Sequence, residues 1–159
     1  MPSAMTSVID SLFTDFREQR DQLKKMLIDL DSMKSKINTL FPEALTARNK
    51  FFFNENVKTA TALFSSFLEV RKEVIKSIKD EIELRRRFEL EERDLEMGDD
   101  EVRKIAEKIE QLSGVKLTLI EAFKEKVERI SERTDDEFVE LDKLKQETED
   151  SLEEEKEND

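Results

Sequence analysis

The stretch IDSLFTDFREQRDQLKKMLIDLDSMKSKINTL, residues 9–40, decides the fold class. Ile9, Phe16, Leu23, Leu30 and Ile37 recur every seven residues, and Leu12, Gln19, Met26, Met33 and Leu40 each lie three further on. Nine of these ten positions are apolar, over five heptads. Such a repeat holds one apolar stripe on one side of an α-helix and marks a coiled-coil seam. It predicts a first helix over about residues 7–41, capped by Ser7, with Asp10 three residues on reaching back to the free amides. The seam calls for a partner helix, from this chain or another.

Outward from that stretch, LFPE at 40–43 predicts a helix end, because proline cannot continue a helix and suits the first position of a new one. A second helix is expected over about 43–96, with a break near Asn54–Asn56. Its best apolar stripe is Phe64, Phe67, Leu68, Ile75, Ile78 and Ile82, with Val57, Val74 and Phe88 at the edges. Glu81–Arg85 and Glu89–Arg93 have helix-supporting i,i+4 spacing. Gly98 in MGDD suits a C-terminal cap, and Asp99 or Asp100 can start a third helix. That helix carries Val102, Ile105, Ile109 and Leu112, then Ile120, Phe123, Val127 and Ile130, then Phe138, Leu141 and Leu144. Gly114 interrupts the phase, so a kink, stutter or short turn is expected there. The predicted organisation is a helical hairpin over 1–97, a third charged amphipathic helix over 98–146 and a frayed or disordered acidic tail over 147–159, where eight of thirteen residues are acids. The fold class is all-α, with two or three long antiparallel helices and coiled-coil packing.

Composition agrees. Of 159 residues, 43% are charged and 36% apolar, with only two Gly and two Pro, which suits long helices far better than a compact globule needing frequent turns. There is no Cys, His, Tyr or Trp. Imidazole bases, thiolate nucleophiles and Cys- or His-ligated metals are thereby excluded, while carboxylate-only sites remain open. Those carboxylates fall mostly on charged helix faces, so no enzyme activity, metal or cofactor is expected. No apolar run is long enough to span a membrane. The N-terminal residues lack a basic and apolar leader pattern, so a cytoplasmic protein is expected.

Charge is uneven along the chain. Residues 1–90 carry 16 Lys+Arg against 14 Asp+Glu, and residues 91–159 carry 12 against 26, within a net charge of −12. The C-terminal part would repel a phosphate backbone and suit a basic partner, or serve solvation alone. Arg85, Arg86 and Arg87 form the densest basic cluster and are the candidate phosphate contacts, so DNA contact stays open without being demanded by charge. Consecutive residues fan around a helix, and the acids at 81, 83, 89, 91 and 92 favour a salt-bridged face instead.

Phe51, Phe52 and Phe53 pose a separate question. Their rings, about 100° apart on a helix, cannot share one face. Together with Phe64 and Phe67 they are read as the core of the junction between the first two helices or as a subunit contact, with a peptide- or ligand-docking patch as a third reading. Burying a Phe is worth roughly 2–3 kcal/mol, so both leading readings point to assembly.

The heptad helix, the Pro-containing turn and TARNKFFF at 46–53 followed by TALFSSFLEVRKEVIKSIKDEI at 61–82 resemble the central hairpin of small terminase subunits from T4-like tailed phages. The likeness covers about 70 of the 159 residues, with no diagnostic motif. It implies a non-catalytic homo-oligomer that helps load viral DNA into a packaging motor in the host cytoplasm, with a motor or assembly protein as partner. It also implies that the seam residues and Phe52 are subunit contacts. The chain departs from that family in starting its heptads already at Ile9 and in its longer, more charged third helix. An acidic helical chaperone or charge mimic, using residues 91–159 against a basic partner, is the competing function.

Overall fold

The computed structural model describes the backbone of residues 4–46, 49–93 and 99–157. Three α-helices account for them: α1 (Ala4–Thr46), α2 (Lys50–Arg93) and α3 (Asp99–Glu157), with no strand among the described residues. The fold is all-α, as the heptads and the scarcity of turn residues require.

The helix ends differ from expectation. Ser7 lies inside α1, not at its cap, and α1 passes through Pro42 to Thr46. A proline there gives up one backbone bond and crowds the preceding turn, at about 3 kcal/mol. Against that, Leu40 and Ala44 on either side of it are both almost fully buried, and continued helix keeps both in the core. The junction falls at Asn49, whose Oδ1 accepts a hydrogen bond from the Phe52 amide at 3.0 Å, an N-cap for α2. α2 therefore begins at Lys50, not near 43, and runs unbroken past Asn54–Asn56. The proposed cap at Gly98 and the Glu89–Arg93 pairing lie outside what is described. α3 is continuous through Gly114, where an added Cβ would meet open space. It is helical to Glu157, through the acidic residues 147–157.

Contacts gather into two units, Met1–Leu27 with Leu68–Lys124 and Ile28–Phe67 with Glu125–Asp159. Each draws on all three helices, so a 1–97 hairpin does not stand apart from a 98–146 helix. In the first unit, Ile9 and Phe13 pack with Leu84, Phe88, Val102, Ile105 and Ile109. Phe13 lies under Arg85, and further along α1 Arg17 and Arg20 reach back to Glu81, so α1 and α2 run antiparallel there. In the second unit, Leu40, Ala44, Phe52 and Leu141 form the core, with Phe53, Phe138 and Leu144 packed on it. Phe52 meets Leu141 and, one α2 turn or more later, Thr59 meets Glu137, so α2 and α3 are antiparallel in this unit.

The seam on α1 is covered within the chain. Ile9, Phe16, Leu23, Met26, Leu30, Ile37 and Leu40 are buried, Leu12 and Met33 half-buried. The stripe on α2 behaves otherwise. Leu63, Val70, Val74, Ser77, Glu81, Leu84 and Phe88 face the interior, whereas Val57, Phe64, Leu68, Ile75, Ile78 and Ile82 are exposed. The richer apolar row of α2 faces solvent, and a row holding Ser77 and Glu81 is buried in its place.

Candidate protein-contact surface

The reason for that inversion is a set of polar partners across helices. In the first unit, Glu81 accepts hydrogen bonds from Arg17 at 3.1 Å and Arg20 at 2.5 Å, and Arg85 of its own helix lies 3.3 Å away. Burial alone would raise the Glu81 carboxyl. The Arg17 hydrogen bond and the Arg20 charge outweigh it, holding the group below the usual value. Arg85 also stacks over the Phe13 ring at 4.2 Å. On the neighbouring turn, the buried Lys116 of α3 lies 3.5 Å from Asp80 and 5.3 Å from the Phe16 ring centroid. Gln19, the one polar seam position, donates to the Ser113 carbonyl at 3.4 Å. Gln19 was the sequence signal for this polar layer. Ser113 lies 94 residues from Gln19 and Glu81 lies 61 from Arg20, so the layer could not be read locally.

The opposite face of α2 in this unit carries Leu68, Ile75 and Ile82 every seventh residue, with Arg71 and Ile78 at the intervening positions. Leu68 is 61% exposed and Ile82 53%. A shallow groove of about 450 Å³ runs along it, lined by Leu68, Arg71, Lys72, Ile75, Lys76 and Lys79. Four of its six lining residues are cations. Covering the half-exposed Leu and Ile side chains would gain roughly 1 kcal/mol each.

In the second unit, the three consecutive phenylalanines separate. Phe52 is buried, and Phe53 is half-buried with its ring 6.1 Å from that of Phe41. Phe51 is 76% exposed. Val57 and Phe64 are exposed on the same helix, and Phe67 is half-buried. Beside Phe51 a pocket of about 630 Å³ is bordered by Lys58, Thr59, Arg133, Asp136 and Glu137. Thr59 Oγ1 lies 2.5 Å from Glu137 Oε1 and 3.1 Å from the Glu55 carbonyl oxygen. One hydroxyl proton cannot serve both acceptors fully. When protonated, Glu137 can donate to Thr59, which frees the hydroxyl proton for the Glu55 carbonyl. Burial, helped by the charges of Glu55 and Asp136 and opposed by the Thr59 hydrogen bond and Arg133, raises the Glu137 carboxyl above its ordinary value.

A sign follows for stability. The folded state holds the Glu137 proton to higher pH than the unfolded chain, so its contribution is best below the ordinary carboxylate value and declines as pH rises through the folded one. Glu137→Gln keeps a donor toward Thr59 without the buried charge. It is expected to melt higher than the parent at neutral pH and to match it in acid, as thermal unfolding followed by circular dichroism at several pH values will show.

Arg85, Arg86 and Arg87 are not one patch: Arg85 is committed to Glu81 and Phe13, while Arg86 and Arg87 are exposed. Among the described residues no group of three or more acids is placed to hold a metal ion. No described helix is long and apolar enough to cross a membrane. The outer face of α2 is exposed, apolar and partly basic. No protein-family model matches the chain, and no curated protein or solved structure matches it significantly.

Proposed function

We propose that the protein is a non-enzymatic, oligomerising helical scaffold or adaptor, built on coiled-coil packing and acting through the outer face of α2. One observation carries this reading: α2 turns a heptad-spaced apolar row to solvent while its opposite face is already packed in the chain's own core. The buried α1 seam is spent on the internal core, so the subunit contact is assigned to Phe51, Val57 and Phe64 instead. Apart from Lys58, the flank of Val57 and Phe64 is nearly neutral, which suits contact with a second copy.

Light scattering on a sizing column, at low and high salt, tests it. The expected mass exceeds one chain and resists salt, and Phe64→Glu reduces it toward the monomer. A monomer at every concentration sinks self-association. A ring-sized assembly would favour the more specific version, a viral DNA-packaging subunit of the small-terminase kind.

The charge-mimic reading has its own support, because α3 remains helical through Glu157 and residues 151–156 are all exposed. Ordered acids of this kind could engage a basic partner. Deleting residues 147–159 should leave assembly intact under the scaffold reading and abolish partner binding under the mimic reading.

A further inference from the structure

The outer face of α2 in the first unit differs in charge from the aromatic face assigned to self-contact, and this difference identifies its occupant. We infer that the row Leu68–Ile82 docks an acidic amphipathic helix of a different protein. Its Leu- or Ile-type seam would lie along Leu68, Ile75, Ile78 and Ile82, with carboxylates set against Arg71, Lys72, Lys76 and Lys79. This deepens the adaptor reading above and rests on it.

Three features favour that occupant. First, spacing: apolar residues at 68, 75, 78 and 82 follow the alternation of seam positions in paired helices, with Arg71 standing in the seam itself. A cation at such a position is satisfied by a carboxylate opposite and penalised by an apolar or basic neighbour, so it selects both register and partner.

Second, charge excludes the row's own twin. In heptad register Lys72, Lys79 and Arg86 occupy one flank, and Lys76 lies further round on that same side, between Glu69 and Glu83. The groove itself is lined by four cations and no acid. Two copies of this face, parallel or antiparallel, would bring those cations together. A carboxylate-flanked helix meets the same groove with opposite charge.

Third, width argues against a lipid surface. A helix lying in a membrane interface presents a broad apolar face. Here the apolar side chains form a narrow row interrupted by Arg71, and the other half of the helix is packed in the core.

The test uses the full chain and a fluorescent synthetic helix with Leu and Ile at its seam positions and Glu beside them. Comparison ligands are a scrambled peptide of the same composition, a Lys-flanked version of the same helix, and phosphatidylserine-containing vesicles. The protein variants are Lys72→Glu/Lys76→Glu/Lys79→Glu and Ile75→Asp, all on exposed side chains, with folding checked by circular dichroism. The expected result is binding of the Glu-flanked helix by the parent chain. Both variants should weaken it by about tenfold or more, and the triple variant should exchange its preference toward the Lys-flanked helix.

Equal binding of the scrambled peptide would reduce the effect to charge alone and overturn the inference. Indifference to the triple reversal would do the same, as would capture by vesicles in place of the helix. If light scattering shows an assembly that Ile75→Asp dissolves, a second copy covers the row; this inference then falls while the scaffold reading stands. A chain that neither assembles nor binds any of the helices removes both.

Discussion

Glu81→Ala is expected to destabilise the protein by about 3–5 kcal/mol at neutral pH, the range for breaking one side of a buried ion pair. The carboxylate is buried and holds Arg17, Arg20 and Arg85, of which Arg20 is itself nearly buried. Removing it leaves the Arg20 guanidinium desolvated without a counter-charge, which costs more than the lost hydrogen bonds alone. The pH dependence has a definite sign. The folded Glu81 carboxyl lies below its ordinary value of 4.5, so its stabilisation is fully present above that value. It is lost as pH falls through the folded value, and the parent and the variant should converge in acid. Urea unfolding at neutral and acid pH measures both. A difference under about 1 kcal/mol at neutral pH would mean that Arg20 reaches water in the folded chain.

A replacement of both partners separates charge from shape. Glu81→Leu combined with Arg20→Met should recover much of the stability lost by Glu81→Ala, because apolar side chains of similar volume commonly replace a buried ion pair without loss. Failure to recover would show that the cluster, with Arg85 and Phe13, acts as a unit larger than the pair.

The three adjacent phenylalanines supply the second large effect. Phe52→Ala should cost about 3–5 kcal/mol, as truncation of a buried ring does. Phe52 packs with Leu40, Ala44 and Leu141, and Asn49 caps its backbone amide. Phe51→Ala, one residue away, should change stability by less than about 0.5 kcal/mol, because its ring stands in solvent. Phe53→Ala should fall between them, losing its contact with Phe41. Paired thermal and urea melts of the three single variants decide the matter. If Phe51→Ala were as damaging as Phe52→Ala, the ring would have to be covered in the folded chain, by a second copy or by α3. If the loss instead grew with protein concentration, Phe51 would be a subunit contact, as the scaffold reading requires.

Much of the fold was legible because it rests on a local pattern. The a/d repeat from Ile9 to Leu40 states which side of α1 is buried, and its apolar members are buried or half-buried as that pattern requires. Helix limits were less legible. Pro42 carries a local signal to stop, yet burial of Leu40 and Ala44 on its two sides outweighs one lost backbone bond. α2 is capped instead at Asn49, a residue type that suits N-caps.

The candidate contact face was not legible as such. Sequence alone marks Phe64, Leu68, Ile75, Ile78 and Ile82 as the strongest stripe on α2, and hydrophobicity by itself would bury it. The structure buries Ser77 and Glu81 instead: Arg17 and Arg20 arrive from α1 and compensate the Glu81 carboxylate, while the Ser77 hydroxyl has no hydrogen-bond partner among the described residues.

By itself, then, the sequence determined that this chain is helical, that α1 buries one continuous stripe, and that imidazole and thiol chemistry are closed to it. These follow from residue types and short-range period. Only the tertiary structure decided which face of α2 turns inward, where the three phenylalanines go, and that burial raises the Glu137 carboxyl above its ordinary value. Those outcomes depend on side chains tens of residues apart, whose charges and hydrogen bonds acquire their energies only once the helices have brought them together out of water.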